Sequence, residues 1–248
     1  MFIDTHCHLS IEDYDDIDKV VKEDIEAGVK KLIVSACTKN TFEEALALAK
    51  KYDSIYVTLG FHPSEVDTTD ADLELLEELL KTDKVVGVGE IGLDYHYGKD
   101  DIDMQKELFE KQLIMAENLN LPVVIHSRDA VNDTIETLKK HNVKGVIHCF
   151  SGSVETADIY IRLGYKLGIG GVVTFKNSNL YKVVEHVGLD NIVLETDSPY
   201  LAPEPFRGKQ NSSKYIPVIA TKIADILNVS LSEVEDKTTM TASNLFDL

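Results

Sequence analysis

Two histidines stand two residues apart near the start of the chain, in Phe2-Ile3-Asp4-Thr5-His6-Cys7-His8-Leu9. An extended segment sends residues i and i+2 to the same side, so the imidazoles of His6 and His8 can reach one ion. Imidazole is a common ligand of zinc and related divalent ions. Taken alone, the pair reads equally well as two partly buried histidines satisfied by hydrogen bonds. Four further residues change the balance. Glu90 ends the apolar run Val85-Val86-Gly87-Val88-Gly89, His126 ends Pro122-Val123-Val124-Ile125, and His148 ends Gly145-Val146-Ile147. Asp197 follows Val193-Leu194-Glu195-Thr196. A carboxylate at the edge of a buried run needs a cation or hydrogen bonds to stay charged. For Glu90 an ion pair with lysine or arginine is the plain alternative, but the flanking Gly89 and Gly92 suggest close backbone approach at a tight site. Asp197 reads either as an Asx turn before Pro199 or as a ligand able to take a proton from water. Glu195 lies two residues earlier and deeper, and ranks behind it.

Nitrogen and oxygen donors without thiolate suit Zn²⁺, Mn²⁺, Co²⁺ or Mg²⁺. Six donors exceed what one tetrahedral ion takes. Two divalent ions are therefore expected, one on His6, His8 and Asp197, the other on His126 and His148, with the two oxygens of Glu90 between them. Such a pair lowers the pKa of a bridging water, holds a phosphoryl oxygen and stabilises the leaving oxygen. His62, in Gly60-Phe61-His62-Pro63, binds substrate, polarises a water or caps structure. His96, His141 and His186 read as surface or helix-end residues. Arg128 follows His126 by two. Arg207 and Lys209 lie in the stretch Ala202 to Lys214, where cations could hold phosphate; the alternative is that Arg207 pairs with Glu204 and Lys209 is solvated.

Something must bring these distant positions together. Eight short β-branched runs alternate with amphipathic ones: Phe2 to Thr5, Lys31 to Ala36, Ile55 to Leu59, Val85 to Glu90, Pro122 to His126, Gly145 to His148, Tyr165 to Ile169 and Ile192 to Thr196. Helical spacing predicts helices over Ile17 to Ala27, Thr41 to Tyr52, Ala71 to Leu80, Asp103 to Leu119, Val131 to His141, Val154 to Leu163, Leu180 to Val187, Lys214 to Leu227 and Ser230 to Phe246. Asp70 and Ser153 stand where N-caps belong, Gly28 and Gly164 where left-handed C-terminal residues belong, and Ser230 opens an S-x-x-E capping box. Right-handed crossovers close eight such repeats into a single-domain (β/α)8 TIM-type barrel over residues 1–248, with every strand's C-terminal end on one face. All six candidate ligands then share one rim. An open doubly wound sheet is the competing architecture, but Gly87-Val88-Gly89-Glu90 lies inside a strand instead of opening a helix as a dinucleotide turn would.

Composition limits the partners. Against 43 acidic residues stand 25 basic ones, a formal charge of −18 that argues against broad attraction to nucleic acid, so any phosphate contact is local. Two acidic stretches, Glu12 to Asp18 and Asp67 to Glu78, read as solvated helix starts or faces. Three widely spaced cysteines, Cys7, Cys37 and Cys149, suit a reducing compartment, with Cys7 and Cys149 as packing residues. No basic-apolar leader and no run of apolar residues long enough to span a membrane is seen, so a cytoplasmic location is expected.

With these motifs assembled, the chain resembles the TatD family of metal-dependent deoxyribonucleases among the amidohydrolase-like barrels. The resemblance spans nearly the whole length. It rests on the His6-Cys7-His8 segment, Gly60-Phe61-His62-Pro63, Gly89-Glu90-Ile91-Gly92-Leu93-Asp94-Tyr95, His126-Ser127-Arg128, His148-Cys149-Phe150-Ser151-Gly152 and Glu195-Thr196-Asp197-Ser198-Pro199-Tyr200-Leu201. It implies a hydrolase of DNA phosphodiesters acting through a metal-held water, with His6, His8, Glu90, His126, His148 and Asp197 as ligands. His62 and Arg128 would then lie near the substrate, joined by Arg207 as the local phosphate contact. Asp197 as general base and Glu90 between the ions form the catalytic pair. Phosphotriesterase-like and dihydroorotase-like relatives fit less well, because they carry a carboxylated lysine where Glu90 stands. The expected partner is DNA, single-stranded or at 3′ or 5′ ends, bound by a monomer. One departure is visible: such proteins often read Arg-Gly-Lys-Arg-Asn-Glu-Pro, whereas Arg207-Gly208-Lys209 is followed here by Gln210-Asn211-Ser212-Ser213, with one basic side chain lost. Two other readings stay open: hydrolysis of a small ester, amide or phosphate, and a metal-stabilised binding protein that no longer turns over.

Overall fold

The apolar runs become strands because β-branched side chains pack well on a pleated surface that is covered on both faces. A computed structural model describes residues 1–96, 98 and 100–248. Its eight strands are β1 (Phe2–Cys7), β2 (Val29–Ala36), β3 (Ile55–Leu59), β4 (Val85–Asp94), β5 (Val123–Arg128), β6 (Gly145–Ile147), β7 (Tyr165–Ile169) and β8 (Ile192–Leu194). They pair in chain order, each pair parallel. Between and after them come α1 (Ile17–Glu26), α2 (Lys39–Lys51), α3 (Asp70–Leu79), α4 (Ile102–Leu119), α5 (Val131–Leu138), α6 (Val154–Arg162), α7 (Leu180–Val187), α8 (Ile216–Leu227) and α9 (Leu231–Phe246). The expected (β/α)8 barrel is the observed one. Among the described residues no helix is long and apolar enough to cross a membrane.

Strand alternation divides the core in two. Outward-facing residues such as Leu32, Val57, Val88, Ile125, Leu167 and Leu194 pack in one large cluster beneath the helices. Ile3, Ile33, Val124, Val146 and Val193 form a second cluster with Ala242 and Phe246 of α9. The last helix therefore stoppers the end of the barrel where the strands begin, and leaves the opposite end open for polar residues.

The seam between β8 and β1 is closed beyond the end of β8. The N–H groups of Thr196 and Asp197 donate to the carbonyl of His6 at 3.4 and 3.0 Å, and His8 N–H donates to Ser198 O at 2.7 Å. Buried within the seam, Asp4 accepts from Thr196 N–H at 3.0 Å, Thr196 Oγ1 at 2.6 Å and Ser213 Oγ at 2.7 Å. Those bonds tie together the two segments that carry His6, His8 and Asp197.

Several boundaries differ from the sequence expectation. β4 runs on to Asp94 because Ile91–Asp94 pair in register with Ile125–Arg128. Glu90 and His126 thus lie inside strands and not at their ends. Gly92 permits that pairing: its φ is 146°, and a Cβ there would sit 2.0 Å from the carbonyl oxygen of His126. β6 ends at Ile147 and β8 at Leu194, so His148 and Asp197 stand just past their strands, Asp197 with a φ of 55°. α3 is capped by Thr69, not Asp70, since Thr69 Oγ1 accepts from Asp72 N–H and the Asp72 carboxylate accepts from Thr69 N–H. Ser153 does cap α6, and Gly28 and Gly164 adopt the left-handed backbone expected of them.

Candidate metal centre

Strand register delivers all six expected ligands to the open mouth of the barrel. His6 Nε2 lies 3.3 Å from His8 Nε2. It is 3.5 Å from Glu90 Oε2 and 3.7 Å from Asp197 Oδ1, while His8 Nε2 is 3.5 Å from the same Asp197 oxygen. On the other side, Glu90 Oε1 is 2.6 Å from His126 Nδ1 and 3.8 Å from His148 Nε2. Asp197 Oδ1 reaches towards both groups, 3.8 Å from His148 Nε2. The two oxygens of Glu90 thus face two different donor sets, His6 with His8 on one and His126 with His148 on the other.

These donors fit divalent ions. Two imidazole nitrogens at about 2.0–2.1 Å from one tetrahedral ion stand about 3.3 Å apart, which is the His6–His8 separation found here. Two imidazole edges and two carboxylates converge at that point, in groups compatible with a metal ion.

Two histidines of the cluster are also hydrogen-bonded from behind, and a third meets a carboxylate there. His8 Nδ1 lies 3.2 Å from the carbonyl oxygen of Ser35. His126 Nε2 is hydrogen-bonded to Asp94 Oδ2 at 3.1 Å, while His148 Nδ1 is 3.1 Å from Glu195 Oε1, a close contact without hydrogen-bond alignment. A partner on the far nitrogen fixes the ring and its tautomer and leaves the near nitrogen's lone pair for a metal. His6 Nδ1 has no partner. Asp94 and Glu195 were not assigned these roles from sequence. A signal was present in each case: Asp94 shares the parity of Glu90 along β4, and Glu195 that of Asp197, so alternation puts each near its neighbour's ring. Glu195 also accepts the N–H of Cys149 at 2.6 Å.

Burial alone would raise the Glu90 carboxyl, but the facing imidazoles of His148, His126 and His6 hold it well below the usual carboxylate range. Burial and the neighbouring His148 hold His6 well below its ordinary value. For His148 burial opposes protonation, yet the carboxylates of Glu195, Glu90 and Asp197 push it up to about 10. His126, against the same penalty, is pushed up to about 9 by Asp94 and Glu90. An ion entering the site must displace these protons.

The residues expected to meet substrate are distributed unevenly. His62 is beside the cluster, its ring centre 4.7 Å from that of His126 and its Nδ1 2.9 Å from Ser64 Oγ. Burial lowers its pKa to about 4. A cavity of about 440 Å³ opens there, lined by His62, Asp94, Asp100, Asp101 and Gln105 among others. Arg128 ends β5 beside Asp94 of β4. Arg207 is exposed, its guanidinium 4.0 Å from the centre of the Phe175 ring and its Nη1 donating to Ala202 O at 3.3 Å. Among the described ion pairs it does not meet Glu204. His96, His141 and His186 pair with Asp129, Glu117 and Asp158 at 3.1, 3.0 and 2.9 Å, as peripheral residues. Cys7 is a buried packing residue donating to Ile33 O, whereas Cys149 is half-buried at a left-handed turn.

The departure at Gln210-Asn211-Ser212-Ser213 divides by burial. Asn211 is buried and donates to Thr196 O at 2.8 Å and Tyr200 O at 2.6 Å. Ser212 and Ser213, also buried, donate to Asp24 and Asp4. Only Gln210 is exposed, donating to Asp13 O. The lost basic group is a surface group; the serines anchor the loop.

Comparison with known proteins gives consistent matches. A family model described as TatD related DNase matches residues 3–247. YabD of Bacillus subtilis strain 168, an uncharacterized metal-dependent hydrolase, is 40% identical over 252 residues, covering 99% of each chain. YcfH of Escherichia coli K12, likewise an uncharacterized metal-dependent hydrolase, is 35% identical over 254 residues, 99% of this chain and 96% of its own. The crystal structure of YjjV, a TatD homologue from Escherichia coli K12, superposes with a TM-score of 0.92 at 33% identity, covering 100% of this chain and 98% of that one.

Proposed function

The chain belongs to the TatD family of metal-dependent hydrolases, and on that premise we propose that it hydrolyses phosphodiester bonds of DNA with two divalent ions bound. The observation that carries this reading is the division of Glu90, whose Oε1 faces His126 and whose Oε2 faces His6. A carboxylate with its oxygens turned to two donor sets is suited to hold two cations a short distance apart, the arrangement used in phosphoryl transfer. His6, His8 and Asp197 would hold one ion and His126 and His148 the other, Glu90 serving both. When bound, the ions would lower the pKa of a water between them and offset charge on the phosphoryl oxygens.

The remaining steps belong to side chains. Asp197, with Oδ1 directed at His6, His8 and His148, is the acceptor for the proton of the attacking water. Asp94 and Glu195 hold the rings of His126 and His148 in place. His62, neutral because burial lowers its pKa to about 4, donates to or accepts from a substrate oxygen without adding charge. Arg128 and Arg207 supply local positive charge to the backbone phosphates of a single strand or a strand end. The chain acts in the cytoplasm in this reading.

Elemental analysis of the purified protein, with cleavage of a labelled single-stranded oligonucleotide in the presence and absence of chelator, tests the proposal. Two ions per chain, chelator-sensitive cleavage and loss of turnover in Glu90→Ala are expected. Cleavage that survives Glu90→Ala in metal-loaded protein would overturn it. A second reading, hydrolysis of a small ester, amide or phosphate, is favoured by one specific feature: the cavity beside His62 carries Asp94, Asp100 and Asp101, an acidic lining that a polyanion would avoid. Metal-loaded protein inert on DNA but active on a small-substrate panel would select that reading.

A further inference from the structure

Cys37 directly follows β2, half-buried at the edge of the metal cluster. Its carbonyl accepts the N–H of His62 at 3.1 Å, so its backbone is tied to the next βα loop. Its Sγ lies 3.6 Å from Glu90 Oε2 and 3.9 Å from Ser35 Oγ. That Glu90 oxygen is the one 3.5 Å from His6 Nε2 and 4.0 Å from His8 Nε2. The sulfur therefore borders the point at which His6, His8 and Glu90 already converge as a group compatible with a metal ion.

The separation is informative. A thiolate at about 2.3 Å and a carboxylate oxygen at about 2.0 Å from one five-coordinate ion stand about 3.0–3.7 Å apart, a range that includes the 3.6 Å observed. Cys37 also lines a cavity of about 390 Å³ together with His8 and Tyr200, so solvent ions can reach it. Cys7 differs, its thiol spent on Ile33 O inside the barrel wall.

We propose that Cys37 is a seventh ligand, giving a thiolate as fifth donor to the ion assigned to His6, His8, Asp197 and Glu90 and biasing that position towards zinc or cobalt over magnesium or manganese. The inference rests on the metal-centre reading above. Coordination forms a metal–sulfur bond with no change of oxidation state, and the thiol proton passes to bulk water. Soft thiolate donors favour zinc, whereas magnesium and manganese prefer oxygen.

Metal-free full-length protein titrated with Co²⁺ tests this. Visible ligand-field bands report cobalt in the site, and a near-ultraviolet sulfur-to-cobalt charge-transfer band reports the thiolate. Both are expected in the wild type. The charge-transfer band should vanish in Cys37→Ser and Cys37→Ala with the visible bands retained, and persist in Cys149→Ser. In Cys37→Ser the preference for zinc over manganese should fall by at least about tenfold. Visible bands without charge transfer, or a charge-transfer band that survives both Cys37 variants, would overturn the thiolate while leaving the metal centre intact. Absence of all cobalt bands would overturn the metal centre and this inference with it. If the variants do not fold, alkylation of Cys37 in the wild type decides: cobalt should slow it at least about tenfold, and an unchanged rate overturns the proposal.

Discussion

Glu195 Oε1 stands 3.1 Å from His148 Nδ1, on the opposite edge of the ring from the nitrogen that faces Glu90. Glu195 is fully buried: Oε1 accepts the N–H of Cys149 and meets that imidazole, while Oε2 has no hydrogen-bond partner. With Glu195 behind the ring, Nε2 is the nitrogen of His148 that faces the cluster.

Removing the charge while keeping the shape should therefore act on metal binding before it acts on the fold. Glu195→Gln is expected to lower zinc affinity by about 10–100-fold, in line with the effect of partners behind metal-bound histidines. Competition against a chromophoric chelator measures it. Unchanged affinity would show that the carboxylate only fills space.

Gly168 in β7 supports the same carboxylate through its lack of a side chain. A Cβ at this position would lie 2.1 Å from Glu195 Oε2 and 2.6 Å from its carboxyl carbon. Gly168→Ala must displace the Glu195 carboxylate and with it the His148 ring. The expected result is a weaker metal complex, with metal-free stability lowered by about 1–3 kcal/mol as for other overpacked sites. A variant with full metal affinity would mean that the carboxylate has another place to go.

Asp24 gives a pH dependence away from the metal. It is buried in α1, where Oδ1 accepts from Ser212 Oγ at 2.8 Å and Lys214 N–H at 2.7 Å, while Oδ2 has no partner. Burial pushes its carboxyl up from 3.8 to about 6. Between these values the folded state binds more protons than the unfolded one, so this group's contribution to stability falls as pH rises through that window and stays reduced above it. Asp24→Asn removes the charge and keeps an acceptor oxygen. Denaturant titrations at pH 4 and pH 8 should show the variant gaining on the wild type by on the order of 2 kcal/mol at the higher pH. A pH-independent difference would contradict the burial argument.

At the surface, Gln210 occupies the position where the family motif often carries arginine, and its side chain is exposed. If single-stranded DNA passes this loop, Gln210→Arg should tighten binding several-fold at low salt and steepen the salt dependence by about 0.7 in log–log slope for one added phosphate contact. Fluorescence anisotropy over a salt series checks this. An unchanged slope would put position 210 outside the path of the strand.

Sequence alone determined the repeat and the donors. Eight β-branched runs alternating with amphipathic ones require a parallel sheet, because each run must be covered on both faces and each crossover has one hand, and eight repeats without a dinucleotide turn favour its closure into a barrel. The same pattern puts His6, His8, Glu90, His126, His148 and Asp197 on one rim, since strand ends in such a barrel share a face. Tertiary structure decided what lies between distant strands. That Asp94 backs His126 and Glu195 backs His148 depends on the register of β4 with β5 and on the turns after β6 and β8. The extension of β4 beyond Glu90 depends on Gly92 meeting His126 of the neighbouring strand. Cys37 likewise looks like an isolated thiol in sequence and meets Glu90 only once β2 and β4 are placed in the barrel. Periodicity is a local property of the chain and could be read directly. Register, and the contacts between side chains that follow from it, is set by packing across the whole sheet, and so emerged only when the barrel closed.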